Sequence, residues 1–239
     1  TVIAGGRIVA RNGELMTTPH VAAPTRVQQT VSIAPITNDA FAIPAPDHAT
    51  ISSRARVIGI REGQLLTDHL TMDVSVVDGQ LTADAEADIA FMSVVERHHG
   101  TGQVGNGLVH GFGITRGAFA STVAHDAHNI VVVGCDHQSM RTCVEHLASI
   151  GGGIAVAEDH EVIADLALPV AGLMSDTPHG EVVERMDALH AALAERGVSV
   201  DAPFMILSFL ALSVIPSLKL TDRGLVDVDR FELVPVAVD

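Results

Sequence analysis

The sequence predicts an α+β fold, with helices on the outer faces of largely antiparallel sheets and a small β element ahead of them. Three observations carry that prediction. Short strand-like runs come in groups punctuated by turn signals, two segments show helical periodicity, and the opening residues alternate as a hairpin requires. A layered αββα sandwich is one version of this architecture.

In chain order, Val2, Ile3 and Ala4 are separated from Ile8, Val9 and Ala10 by Gly5-Gly6, and Asn12-Gly13 supplies a second turn. From Met16 to about Ser53, Pro19, Pro24, Pro35, Pro44 and Pro46 interrupt a stretch with little periodicity. That predicts an extended linker wrapped over something else. The chain thus divides into residues 1–53, an accessory β segment with a Pro-rich linker, and residues 54–239, the main α+β domain.

Residues 56–60, 69–77 and 89–95 read as antiparallel strands, with turns at Glu62-Gly63 and Asp78-Gly79. Residues 117–123 and 130–133 add two more, the second a β-branched run that should be buried on both faces. A helix over 137–150 has Met140, Val144 and Leu147 on one face, Asp136 as its cap and Gly151 at its end. Strands at 154–157 and 162–166 complete a β-β-α-β-β unit. A second helix over 178–196 has Thr177 as N-cap, Pro178 at N1, the stripe Val182, Met186, Leu189 and Leu193, and Gly197 at its end. The apolar run 204–215, between Pro203 and Pro216, is too short to cross a bilayer and reads as buried core. Residues 225–228 and 231–238 read as closing strands.

With 47% hydrophobic residues, 239 positions suffice for one large core or two modest ones. Asp and Glu outnumber Lys and Arg by 29 to 14, the net charge is -15, and Lys219 is the only lysine. Such a balance argues against nucleic acid or an anionic membrane as partner. It fits a salt-adapted cytoplasm, with GC-rich coding or an acidic partner-facing patch as alternatives. Cys135 and Cys143 form no C-x-x-C pair, so neither a disulfide framework nor a structural zinc site is indicated. With no export leader in the sequence, a cytoplasmic location is expected.

The chemistry concentrates in two segments. Glu96-Arg97-His98-His99 follows a strand and runs into the glycines at 100, 102, 105 and 107. These permit tight turns and close approach of backbone to a ligand, with Arg97 and His98 at a pocket mouth and Glu96 paired to Arg97. The competing reading is a surface turn. His125-Asp126-Ala127-His128-Asn129 joins two apolar strands, so its polar groups meet at one sheet end. Asp126 can orient a histidine tautomer, and either imidazole could carry a proton or bind metal. The competing reading is a self-bonded turn. Ser121, Ser175 and Ser208 lack a nucleophile-elbow context. His137, His146, His160, His179 and His190 are expected to be solvated.

At these residues the chain resembles the carboxy-terminal part of bacterial-type adenine deaminase, a family of the amidohydrolase superfamily. The likeness runs through Glu96-Arg97-His98-His99-Gly100-Thr101-Gly102, Gly107-Leu108-Val109-His110-Gly111-Phe112-Gly113 and Val123-Ala124-His125-Asp126-Ala127-His128-Asn129-Ile130. It continues in Leu168-Pro169-Val170-Ala171-Gly172-Leu173-Met174-Ser175-Asp176, Pro203-Phe204-Met205 and Leu220-Thr221-Asp222. Ala127 departs from the serine common in relatives. The opening residues resemble the accessory β segment that follows the family's catalytic barrel. The barrel is missing, and no H-x-H metal pair occurs anywhere in the chain.

The resemblance implies hydrolysis of adenine to hypoxanthine and ammonia, a step of purine salvage, by water activated on a divalent metal (Mn or Fe, or else Zn) held in the barrel. It implies that this chain covers the barrel site and is inactive alone. Adenine would sit at the interface with the catalytic barrel, in a homo-oligomer. Glu96, Arg97, His98, His125, Asp126, His128 and Asn129 would then contact substrate or the groups around it, with no metal ligand in this chain. Two other readings stand beside it. One is a non-catalytic module for purine binding or oligomerisation, and the other is an independent hydrolase with His98, His99, His125 and His128 around its own zinc.

Overall fold

A computed structural model describes residues 1–17 and 27–238. The first elements are β1 (Val2–Ala4), β2 (Arg7–Arg11) and β3 (Glu14–Leu15), an antiparallel sheet that leaves Val2, Ile3 and Leu15 exposed. Pro19 and Pro24 of the predicted linker lie outside the described residues. Its remainder is largely extended, with a 3-10 turn over Asn38–Phe41. It straps the main sheet, because its own Ile36, Phe41 and Ile43 are buried in the core on one side of that sheet. The side-chain amide of Asn106 donates to the Ala40 and Ala42 carbonyls and so pins the turn.

Next come β4 (Ser52–Ile60), β5 (Thr67–Val77), β6 (Gln80–Leu81), β7 (Ile89–Val95), β8 (Val104–His110), β9 (Ala118–Ser121) and β10 (Ile130–Gly134). The helix α1 (His137–Ser149) leads to β11 (Gly153–Glu158) and β12 (Glu161–Ala167). These nine strands form one sheet in the order β12-β11-β9-β10-β7-β8-β4-β5-β6, antiparallel except for the β4–β8 pair. The chain ends with α2 (His179–Ala194), α3 (Pro203–Leu210) and a small sheet of β13 (Leu218–Thr221), β14 (Gly224–Asp227) and β15 (Glu232–Leu233).

Alternation along the strands sends successive side chains to two separate cores. In β9, Phe119 faces one, while Ala118 and Ala120 face the other. On the second side lie the strap and the α1 stripe of Met140, Cys143, Val144 and Leu147. On the first lie Leu189 and Leu193 of α2, Phe204, Leu207 and Leu210 of α3, and Leu218, Leu220 and Leu225 of the small sheet. The α+β class therefore holds, with helices on both faces of a single large sheet instead of around two stacked ones. As predicted, β10 is buried throughout, and the Asp136 carboxylate caps α1 by accepting from Ser139 N at 2.7 Å.

Three local expectations differ. At α2 the N-cap position is Pro178, with no side-chain cap bond, instead of Thr177. The glycine run beyond Thr101 becomes β8, and its glycines admit protein rather than ligand: a Cβ at Gly105 would overlap the Thr221 carbonyl of the β13–β14 hairpin. That hairpin was half missed, since β13 is a strand while only two residues of the predicted 231–238 run pair as β15. Among the described residues no helix is long and apolar enough to cross a membrane.

Candidate functional site

Strand register assembles the site. Val95 of β7 pairs with Ile130 of β10, so Glu96 and Asn129, the next residues outward, leave the sheet side by side. Ser121 of β9 pairs with Ile154 of β11, which puts Thr122 beside Gly153 at the same sheet end. Thr122 Oγ1 donates to the Gly172 carbonyl at 2.5 Å and accepts from Gly153 N at 2.8 Å. Loops 96–103, 122–129 and 168–176 thus converge, and α3 closes the side: His125 N donates to the Ser208 carbonyl at 3.0 Å.

Glu96 organises the first loop and does not pair with Arg97, contrary to the sequence reading. Its carboxylate accepts from His98 N at 2.5 Å, His99 N at 2.8 Å, and Thr101 N and Oγ1 at 3.0 and 2.9 Å. Burial raises its pKa, but these donors outweigh burial and hold it at about 2. A carboxylate already meeting four donors is an anchor of the turn, and the Arg97 guanidinium is turned elsewhere.

Arg97 is 1% exposed. Its Nε donates to the His128 carbonyl and its Nη2 to the Ala171 carbonyl, while Nη1 is buried without a partner among the described residues. No carboxylate of the described residues pairs with it, and burial lowers its pKa. Gly172, at a φ of +71°, makes room for the fork, since a Cβ there would stand 2.6 Å from Nη1.

The histidines are oriented by backbone and serine, not by Asp126, which is exposed. His98 Nε2 donates to the Ala127 carbonyl at 2.7 Å. His128 Nδ1 accepts from Ala124 N at 3.2 Å, so the proton of its neutral ring sits on Nε2. Burial, then the nearby His125 and Arg97, lower the His128 pKa and keep that ring neutral. Ser208 Oγ donates to the Met205 carbonyl, so it accepts from His125 Nδ1 at 3.2 Å, leaving the His125 Nε2 lone pair free. The His125 ring also stacks on Phe209 at 4.4 Å and 3°. Ser208 and Phe209 are therefore site residues the sequence reading missed. Their spacing to His125 gave no signal, because 83 positions separate Ser208 from it.

The cluster offers a neutral N–H at His128, a lone pair at His125, the Asp126 carboxylate and a buried cation. A cavity of about 230 Å³ opens beside it, lined by Asp126, His128, Asn129, Ser213, Thr221 and Asp222. Asn129 is buried, and its Oδ1 accepts from Arg97 N at 3.4 Å. The four-histidine zinc reading does not fit. No three His, Cys, Asp or Glu side chains among the described residues are placed to hold a metal. Two distant histidines expected in solvent are also partly buried: His137 packs 4.5 Å from Phe91, and His146 bonds Asp165 at 2.7 Å.

Comparison with known proteins places these loops in a family. The chain is 45% identical over 238 residues to an "Adenine deaminase 2" of Carboxydothermus hydrogenoformans, covering 99% of this chain and 41% of that protein. It is 47% identical to an adenine deaminase of Moorella thermoacetica, with 98% of this chain and 39% of that protein covered. An adenine deaminase of Dehalococcoides mccartyi is 40% identical, with 96% and 39% covered. The chain thus spans about two fifths of the length of these relatives. The family model described as "Adenine deaminase C-terminal domain" matches residues 64–232, well over half of the chain, and the chain belongs to that family.

Proposed function

We propose that this chain is the carboxy-terminal part of a cytoplasmic enzyme that hydrolyses adenine to hypoxanthine and ammonia, and that its loop cluster closes over a catalytic barrel supplied by the remainder of the polypeptide. The observation that supports this most directly is Arg97. A buried guanidinium with a donor unpartnered, and no carboxylate paired to it, among the described residues is costly, and such groups persist where they are used. Beside it, His125 and His128 present a lone pair and an N–H, the complement of a purine edge that alternates donors and acceptors. Asp126 and Asn129 extend the same polar rim.

The division of labour follows from what this chain lacks. No three metal-ligating side chains are grouped among the described residues, so the divalent ion of the proposed reaction (Mn, Fe or Zn) is assigned to the barrel. This chain's part is to bind the substrate edge, orient it and exclude water. Closing the cover removes the polar site from bulk solvent and strengthens each of those bonds. The proposed division into residues 1–53 and 54–239 is one of sequence segments, and the strap of the first contributes Ile36, Phe41 and Ile43 to the core of the second. Adenine is placed at the interface between cover and barrel, in a homo-oligomer.

Ammonia release from adenine tests the assignment. The 239-residue chain supplied with Mn(II), Fe(II) or Zn(II) is expected to release none, while the full-length polypeptide does. Turnover by the chain alone would overturn it. Saturable adenine binding without turnover in the full-length protein would favour a purine-binding module instead.

A further inference from the structure

Outside the loop cluster, a larger cleft of about 460 Å³ opens between the β4–β5 turn and α3, within the size range of small-molecule sites. Its walls are joined from behind by Lys219. That side chain is fully buried, and its Nζ donates to the carbonyls of Leu65 and Phe209, one on each wall, at 2.9 and 3.1 Å. The Phe209 carbonyl lies in the last turn of α3, where the helix dipole favours a cation. The cleft is thus framed by a fixed bracket.

Its lining is chemically one-sided. Leu65, Met205, Ile206 and Phe209 supply apolar surface, and Leu65 and Met205 remain exposed. Among the described residues the charged side chains lining it are Glu62 and Asp201, and the one basic group nearby, the Lys219 ammonium, lies behind the wall with its donors turned to the Leu65 and Phe209 carbonyls. An apolar body is favoured by the first set and a cationic head by the second, whereas an anionic head meets two like charges. Phe209 adds a connection. Its ring is the one stacked on His125, so a molecule seated in this cleft leans on the residue that holds a candidate site imidazole.

We propose that this cleft is a second small-molecule site, selective for an arylalkylamine with a protonated amino group, and that its occupancy is transmitted to His125 through Phe209. The residues lining the cleft all belong to this chain, whereas its coupling to His125 rests on the proposed role of the loop cluster.

Tryptamine is a suitable probe, since the chain contains no Trp or Tyr and indole emission therefore comes from the ligand alone. Fluorescence anisotropy is expected to show saturable binding of tryptamine, weaker binding of the neutral analogue tryptophol and none of indole-3-propionate. An exposed ion pair contributes up to about five-fold in affinity, so Glu62→Gln with Asp201→Asn should weaken tryptamine about ten-fold and leave tryptophol unchanged. The imidazole proton resonances of His125 should move on titration. No saturation up to millimolar tryptamine, or equal affinity for the three indoles, would overturn the site. Saturation with stationary His125 resonances would overturn its coupling to the loop cluster.

Discussion

Arg97 at the sheet end and Lys219 behind α3 face the same problem and resolve it differently. Both are buried, at 1% and 0% exposure, burial lowers the pKa of both, and neither has an acidic partner among the described residues. Each donates to two main-chain carbonyls. Lysine is a compact charge whose donors swivel, and here it ties a loop to a helix end. Arginine is a rigid fork of five N–H groups, and two carbonyls cannot satisfy it. Equal burial therefore yields a strut in one region and spare hydrogen-bonding capacity in the other.

The strongest way to break this comparison is to remove the fork from the full-length polypeptide and follow the proposed adenine hydrolysis. Arg97→Ala is expected to lower kcat about 100-fold, the scale for loss of one preorganised donor, with the protein still folded by circular dichroism. Gly172→Ala should approach the same loss with the arginine retained, because its Cβ would press on Nη1 and its backbone sits at a φ of +71°. Unchanged steady-state kinetics in both variants would reduce Arg97 to a second strut.

Lys219→Met should do the reverse, lowering stability and sparing turnover. Two partly buried carbonyls lose their donor, at a cost of about 1–3 kcal/mol. The pH dependence sharpens the test. The lysine pKa is about 8 in the folded chain against 10.5 ordinarily, so the unfolded chain holds the proton more tightly. Stability from this group therefore rises between about pH 8 and 10.5 and is constant below. Urea titrations of Lys219→Met should lack that rise.

Glu96 ranks next, as the anchor that presents Arg97. Its folded pKa of about 2 lies below the ordinary 4.5, so its stabilisation is present above pH 4.5 and is lost as pH falls toward 2. Glu96→Gln should cost about 1–3 kcal/mol at pH 7, through loss of a charged acceptor from three backbone N–H groups and a hydroxyl. The gap between variant and parent should close under acid denaturation near pH 2. A gap independent of pH would mean that the loop is held by packing and not by the carboxylate.

What the sequence disclosed and what it hid divide along the same physical line. Periodicity exposed β7, β9, β10, α1 and α2, because burial of one stripe or of both faces writes itself into successive residues. The meeting of residues 96–99 with 125–129 was legible as two polar segments ending buried strands. Their bonding was not. Glu96 was read as the partner of Arg97 from adjacency alone, whereas the backbone N–H groups of residues 98, 99 and 101 curl around it and compete successfully. Ser208 and Phe209 reach His125 only through tertiary packing of α3, and no local pattern encodes that. The β8 glycines were misread because close approach needs a partner, and the partner, the β13–β14 hairpin, lies over a hundred positions onward.

The mildest expected effect probes why the ring next to Arg97 stays neutral. Burial disfavours a charged His128 first, and His125 and Arg97 add to that. Its depressed pKa means that the unfolded chain takes up a proton that the native ring refuses, so stability falls as pH drops through 6.5. His128→Asn keeps an acceptor for Ala124 N and a residue type that tolerates the φ of +51° at this position, so at pH 8 it should cost under about 1 kcal/mol. Between pH 7 and 5 the variant should lose less stability than the parent in urea titrations. Parallel losses would mean that His128 protonates freely. A second cation would then be tolerated beside Arg97, and the spare donor could not be the mark of an uncompensated charge.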